Sequence, residues 1–231
     1  MESSIKPAAI AAGRVIGALL LLQMLGSALV DFRLERPLFD PPGFLLGASL
    51  HGRQIGIAAL VGLVLEALWI GIALTLFPFV RDRARALTLW LVILSGVCLA
   101  VSVFENAGVM TMVSLSEAYA KANIADRQSF DTVRVAVAAA RNWPHFLARM
   151  LDGCTLFVLM VLFYRCALMP RAVAACGILA AILQVIGVSM PLFGRGVIFP
   201  LLAPTGLVLL VVALLLIVRG LQEPPVHNAP A

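Results

Sequence analysis

Three carboxylates lie in segments that are otherwise apolar enough to cross a membrane: Glu66, Glu105 and Asp152. The one permanent cation at a similar depth is Arg149. A charged group in the centre of a membrane helix costs roughly 2.5–3.5 kcal/mol even on the mildest scale. Four such groups together cost roughly 10–14 kcal/mol before any pairing. We therefore expect them to meet in one site where their charges are compensated.

The charges of these four groups do not balance, because three carboxylates and one guanidinium leave an excess of negative charge. A water-poor cavity does not hold that excess, so the acids must bind protons or a cation must fill the site. A protonated carboxylic acid in an apolar pocket can donate a proton. This predicts acid/base catalysis, with Glu66 as the acid, Asp152 or Glu105 as the base or cation stabiliser, and Arg149 as the orienting group.

Further polar residues are predicted to line the same cavity and to bind a substrate: His51, Asn106, His145 and Gln184. His145, Arg149 and Asp152 are spaced i, i+4, i+7, so they share one face of a helix. Histidine and carboxylate are suitable ligands for zinc or iron, but the Glu-x-x-His spacing of bundle metal sites is missing. No metal and no other cofactor is predicted.

The elements that position these residues are six apolar segments, at about 8–30, 48–80, 86–112, 143–165, 171–190 and 197–219. Five of them are close to the length of about 20 residues that a membrane-spanning helix needs. Segment 48–80 is too long for one crossing, so residues 51–54 are predicted in the interface and residues 55–79 in the membrane core. The chain is 62% hydrophobic and 13% charged, whereas soluble domains are about 45–50% apolar and about 25% charged. The sequence therefore predicts an all-α bundle of six transmembrane helices, folded as a single membrane domain over residues 1–231.

Two longer connections, residues 31–46 and 114–142, are predicted on the same side of the membrane, either as plain connectors or as lids over the cavity. Prolines in the first exclude a regular helix. In the second, residues 114–117 resemble a capping box, and the rest is consistent with a surface helix. Trp143 followed by Pro144 is typical of a helix start.

The distribution of cations predicts the orientation. With both termini inside, eight Lys and Arg residues lie on the inner side and seven on the outer side, and three of the inner ones fall within residues 81–85. This pattern favours an orientation with both termini in the cytoplasm. No basic patch is interleaved with aromatic residues, so nucleic acid is not a predicted partner. The predicted partners are membrane lipids and a lipophilic small molecule.

Residues 10–14 (IAAGR), before the first span, and residues 164–171 (YRCALMPR), followed by Gly177, carry a family resemblance. Together with six spans and this length, they resemble the bacterial membrane family catalogued as domain of unknown function 4386. The resemblance implies a six-helix inner-membrane protein and brings no activity or catalytic residue with it.

Three functions stay open at this point. The first is an intramembrane acid/base enzyme of the cyclase or isomerase type, acting on a lipophilic small molecule. The second is a proton- or cation-coupled binding or transport protein, because acids inside membranes commonly form proton relays. The third is a structural accessory subunit in which the acids pair only to set the register of the helices.

Overall fold

The structure, a computed structural model, describes residues 2–222. Over these residues the chain forms seven α-helices and no β-strand: α1 (Glu2–Leu29), α2 (Phe44–Gly47), α3 (Gly52–Val80), α4 (Arg85–Lys121), α5 (Arg127–Arg165), α6 (Arg171–Ser189) and α7 (Ala203–Arg219). The described chain contains six segments that are long and apolar enough to cross a membrane, and the single turn α2 begins the second of them, Phe44–Val80. The prediction of an all-α, multi-pass membrane fold is confirmed.

Helices α4 and α5 are much longer than the predicted spans, with 37 and 39 residues. At about 1.5 Å per residue each exceeds 50 Å, so each extends roughly 25 Å beyond a hydrocarbon core of about 30 Å. Their projecting halves form a hairpin in which the rings of Tyr119 and Phe130 pack edge to face at 5.6 Å.

Residues 114–142 form helix over most of their length, as the surface-helix alternative expected, but as continuations of α4 and α5 and not as a separate element. The predicted helix start at Trp143 is wrong, because Pro144 lies inside α5. The segment 133–141 (VRVAVAAAR) has no Gly or Pro to stop a helix. The fall in hydropathy there marks an end of the apolar stretch and not an end of the helix, since helix geometry does not depend on apolarity.

The six long helices form a closed ring. Each packs against the next in the order α1, α3, α4, α5, α6 and α7, and α7 packs against α1. A Cβ atom added to Gly17 would lie 2.6 Å from the carbonyl oxygen of Ala213, so the small residues of α1 serve packing within the bundle. The main apolar core, which includes Ile16, Trp69 and Phe163, fills the ring.

One end of the ring, called here the terminal end, collects both ends of the described chain. The amide of Leu221 donates to the carbonyl of Ala9 at 3.3 Å, and that of Gln222 donates to the carbonyl of Leu168 at 2.8 Å. Val80, at the turn between α3 and α4, belongs to the same core as Leu168 and Leu221. The terminal end is therefore closed by apolar packing.

The opposite end is covered by residues 30–51, called here the strap, which consist of short helical turns and α2. Ser116 of α4 holds it, because its hydroxyl accepts from the amide of Ser49 at 2.9 Å and donates to the carbonyl of Leu45 at 3.0 Å. The side chain of Gln54 donates to the carbonyl of Leu34 at 3.0 Å. The predicted capping box around Ser116 is thus wrong, since this residue lies inside α4.

Candidate functional site

One face of α5 supplies the scaffold of the site. Arg141, His145, Arg149 and Asp152 follow one another at intervals of four, four and three residues, so they lie on one side of the helix. The predicted row of His145, Arg149 and Asp152 is therefore extended by one turn, to Arg141. Because α5 packs between α4 and α6, this row faces carboxylates from neighbouring elements.

Near the strap, a chain of ion pairs links three elements. Arg141 Nη2 donates to Glu35 Oε2 at 2.8 Å and lies 3.5 Å from Glu105 Oε1. The same Glu105 oxygen accepts a hydrogen bond from His145 Nδ1 at 2.7 Å. The ring of Phe39 covers the guanidinium of Arg141, with 4.9 Å from its carbon to the ring centre. The strap is thereby joined electrostatically to α4 and α5.

Glu35 lies just beyond the first membrane span and is buried. Burial raises the pKa of its carboxyl group above the ordinary value, and the positive charge of Arg141 opposes that increase. The direct contact with Arg141 is what allows an ionised carboxylate at this depth, because a buried ion needs a close partner of opposite charge.

Deeper in the bundle, Glu66, Glu105 and Asp152 are only 4%, 7% and 7% exposed. Arg149 Nη1 donates to Asp152 Oδ2 at 3.2 Å. Within the described part of the chain, Glu66 Oε2 and Asp152 Oδ1 have no hydrogen-bond partner. The charges of Asp152, Arg149 and Glu105 all act on Glu66. Carboxylates from α3, α4 and α5 therefore meet in one buried cluster.

A small cavity lies at the centre of this cluster. Its walls come from the strap and from α1, α3, α4 and α5, and they are Ser27, Val30, Asp31, Glu35, Gly62, Leu65, Glu66, Ser102, Glu105, Asn106 and Arg149. The space available to the centre of a water molecule is about 20 Å³. About 10–15 Å³ of such space holds one water, so the cavity fits about one water molecule or a small ion.

Two of the residues predicted to bind a substrate lie at this cluster, and two do not. Asn106 lines the cavity, and its side chain donates to the carbonyl of Ser102 at 2.8 Å. His145 is in contact with Glu105. His51, in contrast, lines a separate cavity under the strap. Gln184 donates to the backbone carbonyl of Arg149 at 3.1 Å and so ties α6 to α5.

Glu35 and Arg141 belong to the cluster and were not predicted as site residues. A signal for Arg141 was present, since it precedes His145 by four residues and continues the same helical face. The predicted helix start at Trp143 placed it in a connector instead. For Glu35 there was no local signal, because its contact with Arg141 joins residues 106 positions apart.

These two residues do not remove the charge excess, since the guanidinium of Arg141 only cancels the carboxylate of Glu35. Glu66, Glu105 and Asp152 still face the single guanidinium of Arg149, and the wall of the cavity adds a further carboxylate, Asp31. In the chain from residue 2 to residue 222, no group of three or more His, Cys, Asp or Glu side chains is arranged to hold a metal ion. Bound protons or a cation would have to compensate the excess of negative charge.

Comparison with known proteins gives a family without an assigned activity. The family model described as Domain of unknown function (DUF4386) matches residues 15–220, which run from the first long helix to the end of the last. No curated protein and no solved structure matches the chain.

Proposed function

This chain belongs to the DUF4386 family, and we propose from its own site that it takes up and releases protons at Glu66 and Asp152, as the proton-binding step of a proton-coupled membrane transporter. The observation that carries the proposal is a pair of buried carboxylates, each with one oxygen that lacks a partner within residues 2–222. Glu66 and Arg149 line a space that fits water and little else, and Asp152 pairs with the same guanidinium.

The cluster offers a route for a proton from the strap end. His145 is 24% exposed at its side chain and is bonded to Glu105. An imidazole can bind a proton at one ring nitrogen and release one from the other, so it can pass a proton between solvent and a carboxylate. Glu105 and Glu66 both line the cavity, and a water molecule there would connect them. A proton on Glu66 lowers the local charge excess and leaves Arg149 to pair with Asp152.

The size of the cavity favours this proposal over the acid/base enzyme predicted from the same residues. Sites for small organic molecules usually measure about 300–1,000 Å³, and the space beside Glu66 is about 20 Å³. A lipophilic substrate would need the strap and the helices to separate. The enzyme and the accessory subunit stay predictions, and the experiment below separates only the accessory subunit from a site that exchanges protons.

The test is the infrared absorption of protonated carboxyl groups, followed in lipid nanodiscs while the pH is changed. We expect the wild-type protein to show a carboxyl band that changes with pH, and Glu66→Gln to lose part of that change. The amide keeps the size of the side chain but cannot exchange a proton. Asp152→Asn is expected to remove a second part of the pH-dependent change in the carboxyl band.

The matched control is Glu117→Gln, because Glu117 is an exposed carboxylate on α4. This variant should keep the pH-dependent signal of the buried carboxyl groups. If the bands of Glu66→Gln and wild type change identically with pH, these residues do not exchange protons, and a structural role for the cluster is favoured.

We further propose that the protein lies in the inner membrane of a bacterium with both termini in the cytoplasm. The contacts of Leu221 with Ala9 support placing both ends of the described chain on one side. Arginines at 81, 83 and 85 lie at the turn on that same end of the bundle. Positive charge in short loops favours the cytoplasmic side.

A further inference from the structure

The turn between α3 and α4, at the terminal end, borders a cavity of about 330 Å³ that the proton site does not use. It is lined by Phe77, Arg81, Asp82, Arg85, Thr88 and Leu89. Since α3 ends at Val80 and α4 begins at Arg85, the cavity lies where two membrane-crossing helices meet the aqueous boundary.

The net positive charge of this cavity favours the binding of an anion. Arg81 and Arg85 both line it, and Asp82 is its one carboxylate. The pair between Arg81 Nε and Asp82 Oδ1 is long, at 3.6 Å, and both side chains are largely exposed. Such surface pairs contribute about 0–1 kcal/mol. Arg85 forms no ion pair with any described residue.

Two further arginines reinforce the positive potential at the same end of the bundle. Burial raises the pKa of the Cys166 thiol, and the charges of Arg83 and Arg165 oppose that increase, so both guanidinium groups lie near Cys166. Cys166 belongs to the core that also contains Val80. An anion at the α3–α4 turn therefore lies within the field of more than two arginines.

The wall toward the membrane is apolar. Phe77 is half-buried, Leu89 is exposed, and Trp90 beside it is exposed as well. Aromatic rings favour the membrane–water boundary. A ligand that fits both walls carries an anionic head and a hydrocarbon tail. The cavity under the strap is a weaker candidate, because its Arg36 is already paired with Asp40 at 2.7 Å.

We propose that the α3–α4 turn binds an anionic phospholipid. Arg81 and Arg85 hold the phosphate through charge-assisted hydrogen bonds, for which the planar guanidinium group is well suited. The acyl chains lie along Phe77 and Leu89. Basic pockets between helices at a membrane boundary are suited to anionic headgroups. This site is independent of the proposed proton exchange at Glu66.

The experiment measures lipid binding to the full-length protein in a neutral detergent by native mass spectrometry. We expect phosphatidylglycerol to bind more tightly than phosphatidylcholine with the same chains. Arg81→Gln/Arg85→Gln should weaken phosphatidylglycerol binding about tenfold or more, because a hydrogen bond to a charged group contributes about 1.5–3 kcal/mol. Arg85→Lys should have an intermediate effect, since it keeps the charge and loses the two-point contact.

The matched control is Arg33→Gln, which removes an exposed arginine that lines the cavity under the strap. It should leave phosphatidylglycerol binding unchanged. An equal loss in Arg33→Gln would show a general effect of net charge and overturn the site. Equal binding of phosphatidylcholine would overturn the requirement for an anion. If inorganic phosphate competes for the site as effectively as phosphatidylglycerol does, the site binds phosphate and the acyl chains have no role. That result would overturn the proposal of a lipid site.

Discussion

Arg141 is the residue on which the buried charge network depends. It contacts a carboxylate of the strap, Glu35, and a carboxylate of α4, Glu105. Two acids from distant parts of the sequence therefore share one guanidinium. Replacing Arg141 is expected to lower the stability of the protein more than replacing a surface arginine, because a buried charge without a partner is costly.

We predict that Arg141→Gln lowers the unfolding free energy by about 3–5 kcal/mol, the usual effect of breaking a buried ion pair. The double variant Glu35→Gln/Arg141→Gln should recover part of that loss, because the stranded carboxylate at position 35 is then neutral. The measurement is chemical unfolding in mild detergent for the two single variants and the double variant.

Arg134→Gln is the matched control for this cycle. Arg134 lies on the same helix, is exposed, and pairs with Asp131 at 3.7 Å. Its replacement should change stability by no more than about 0.5 kcal/mol. Additive effects of the Glu35 and Arg141 changes would contradict the pairing seen in the structure.

Glu66, Glu105, Arg149 and Asp152 were identified from the sequence because charge in an apolar segment stands out without any knowledge of neighbours. His51 was grouped with them on its estimated depth and on a loose agreement in helical phase with Glu66. His51 lies in a separate short turn that precedes α3, so the phase of α3 does not apply to it, and it lines another cavity.

At the scale of elements, the close approach of α4 and α5 determines where Arg141 lies. Gly108 of α4 faces the backbone of Arg141, and a Cβ atom there would lie 3.0 Å from the Arg141 Cα atom. A backbone atom cannot move aside as a flexible side chain can, so α5 would have to shift. The glycine is therefore needed for packing and not for a special backbone conformation.

We predict that Gly108→Ala destabilises the protein by about 1 kcal/mol net. Overpacking costs about 1–3 kcal/mol, and the helix gains about 0.5–1 kcal/mol when alanine replaces glycine. Gly96→Ala on the same helix is the control, because nothing lies within 4 Å of its added Cβ atom. Thermal unfolding of both variants in detergent should show opposite shifts. A stabilised Gly108→Ala would contradict the described packing.

The strap shows how a segment without long helices still takes a defined position. Ser116 and Gln54 bind its carbonyl and amide groups from helices α4 and α3. Buried backbone groups need such partners, since an unpaired one is costly. The sequence predicted that prolines prevent a long helix here, and it contained no sign of which side chains would hold the segment.

At the scale of the whole molecule, the interior of the ring is apolar toward the terminal end and polar toward the strap. The core that contains Val80, Leu168 and Leu221 closes the terminal end, and the charge cluster lies toward the strap. Among the described residues, the carboxylates therefore lie nearer the strap than the terminal end. If the terminal end is cytoplasmic, as the arginines of the α3–α4 turn favour, the strap side is the outside of the cell membrane.

We predict that this orientation will appear in the labelling of two single-cysteine variants, Asp40→Cys and Asp82→Cys. Asp40 and Asp82 are both exposed, and they lie at opposite ends of the bundle. In a background without the native cysteines, a membrane-impermeant thiol reagent should label Asp40→Cys in intact cells and Asp82→Cys only after lysis. The reverse pattern would place the strap in the cytoplasm and overturn the proposed entry of protons from outside.

The sequence by itself determined the class of protein and the presence of a polar centre. Apolar length requires six membrane-crossing helices, and acids such as Glu66 cannot remain there without compensation. Only the tertiary structure decided which groups provide that compensation. Helix spacing orders residues on one face, but the rotation of α4 and α5 and the path of the strap depend on packing between distant segments. Those contacts, such as that of Glu35 with Arg141, leave no local pattern in the chain.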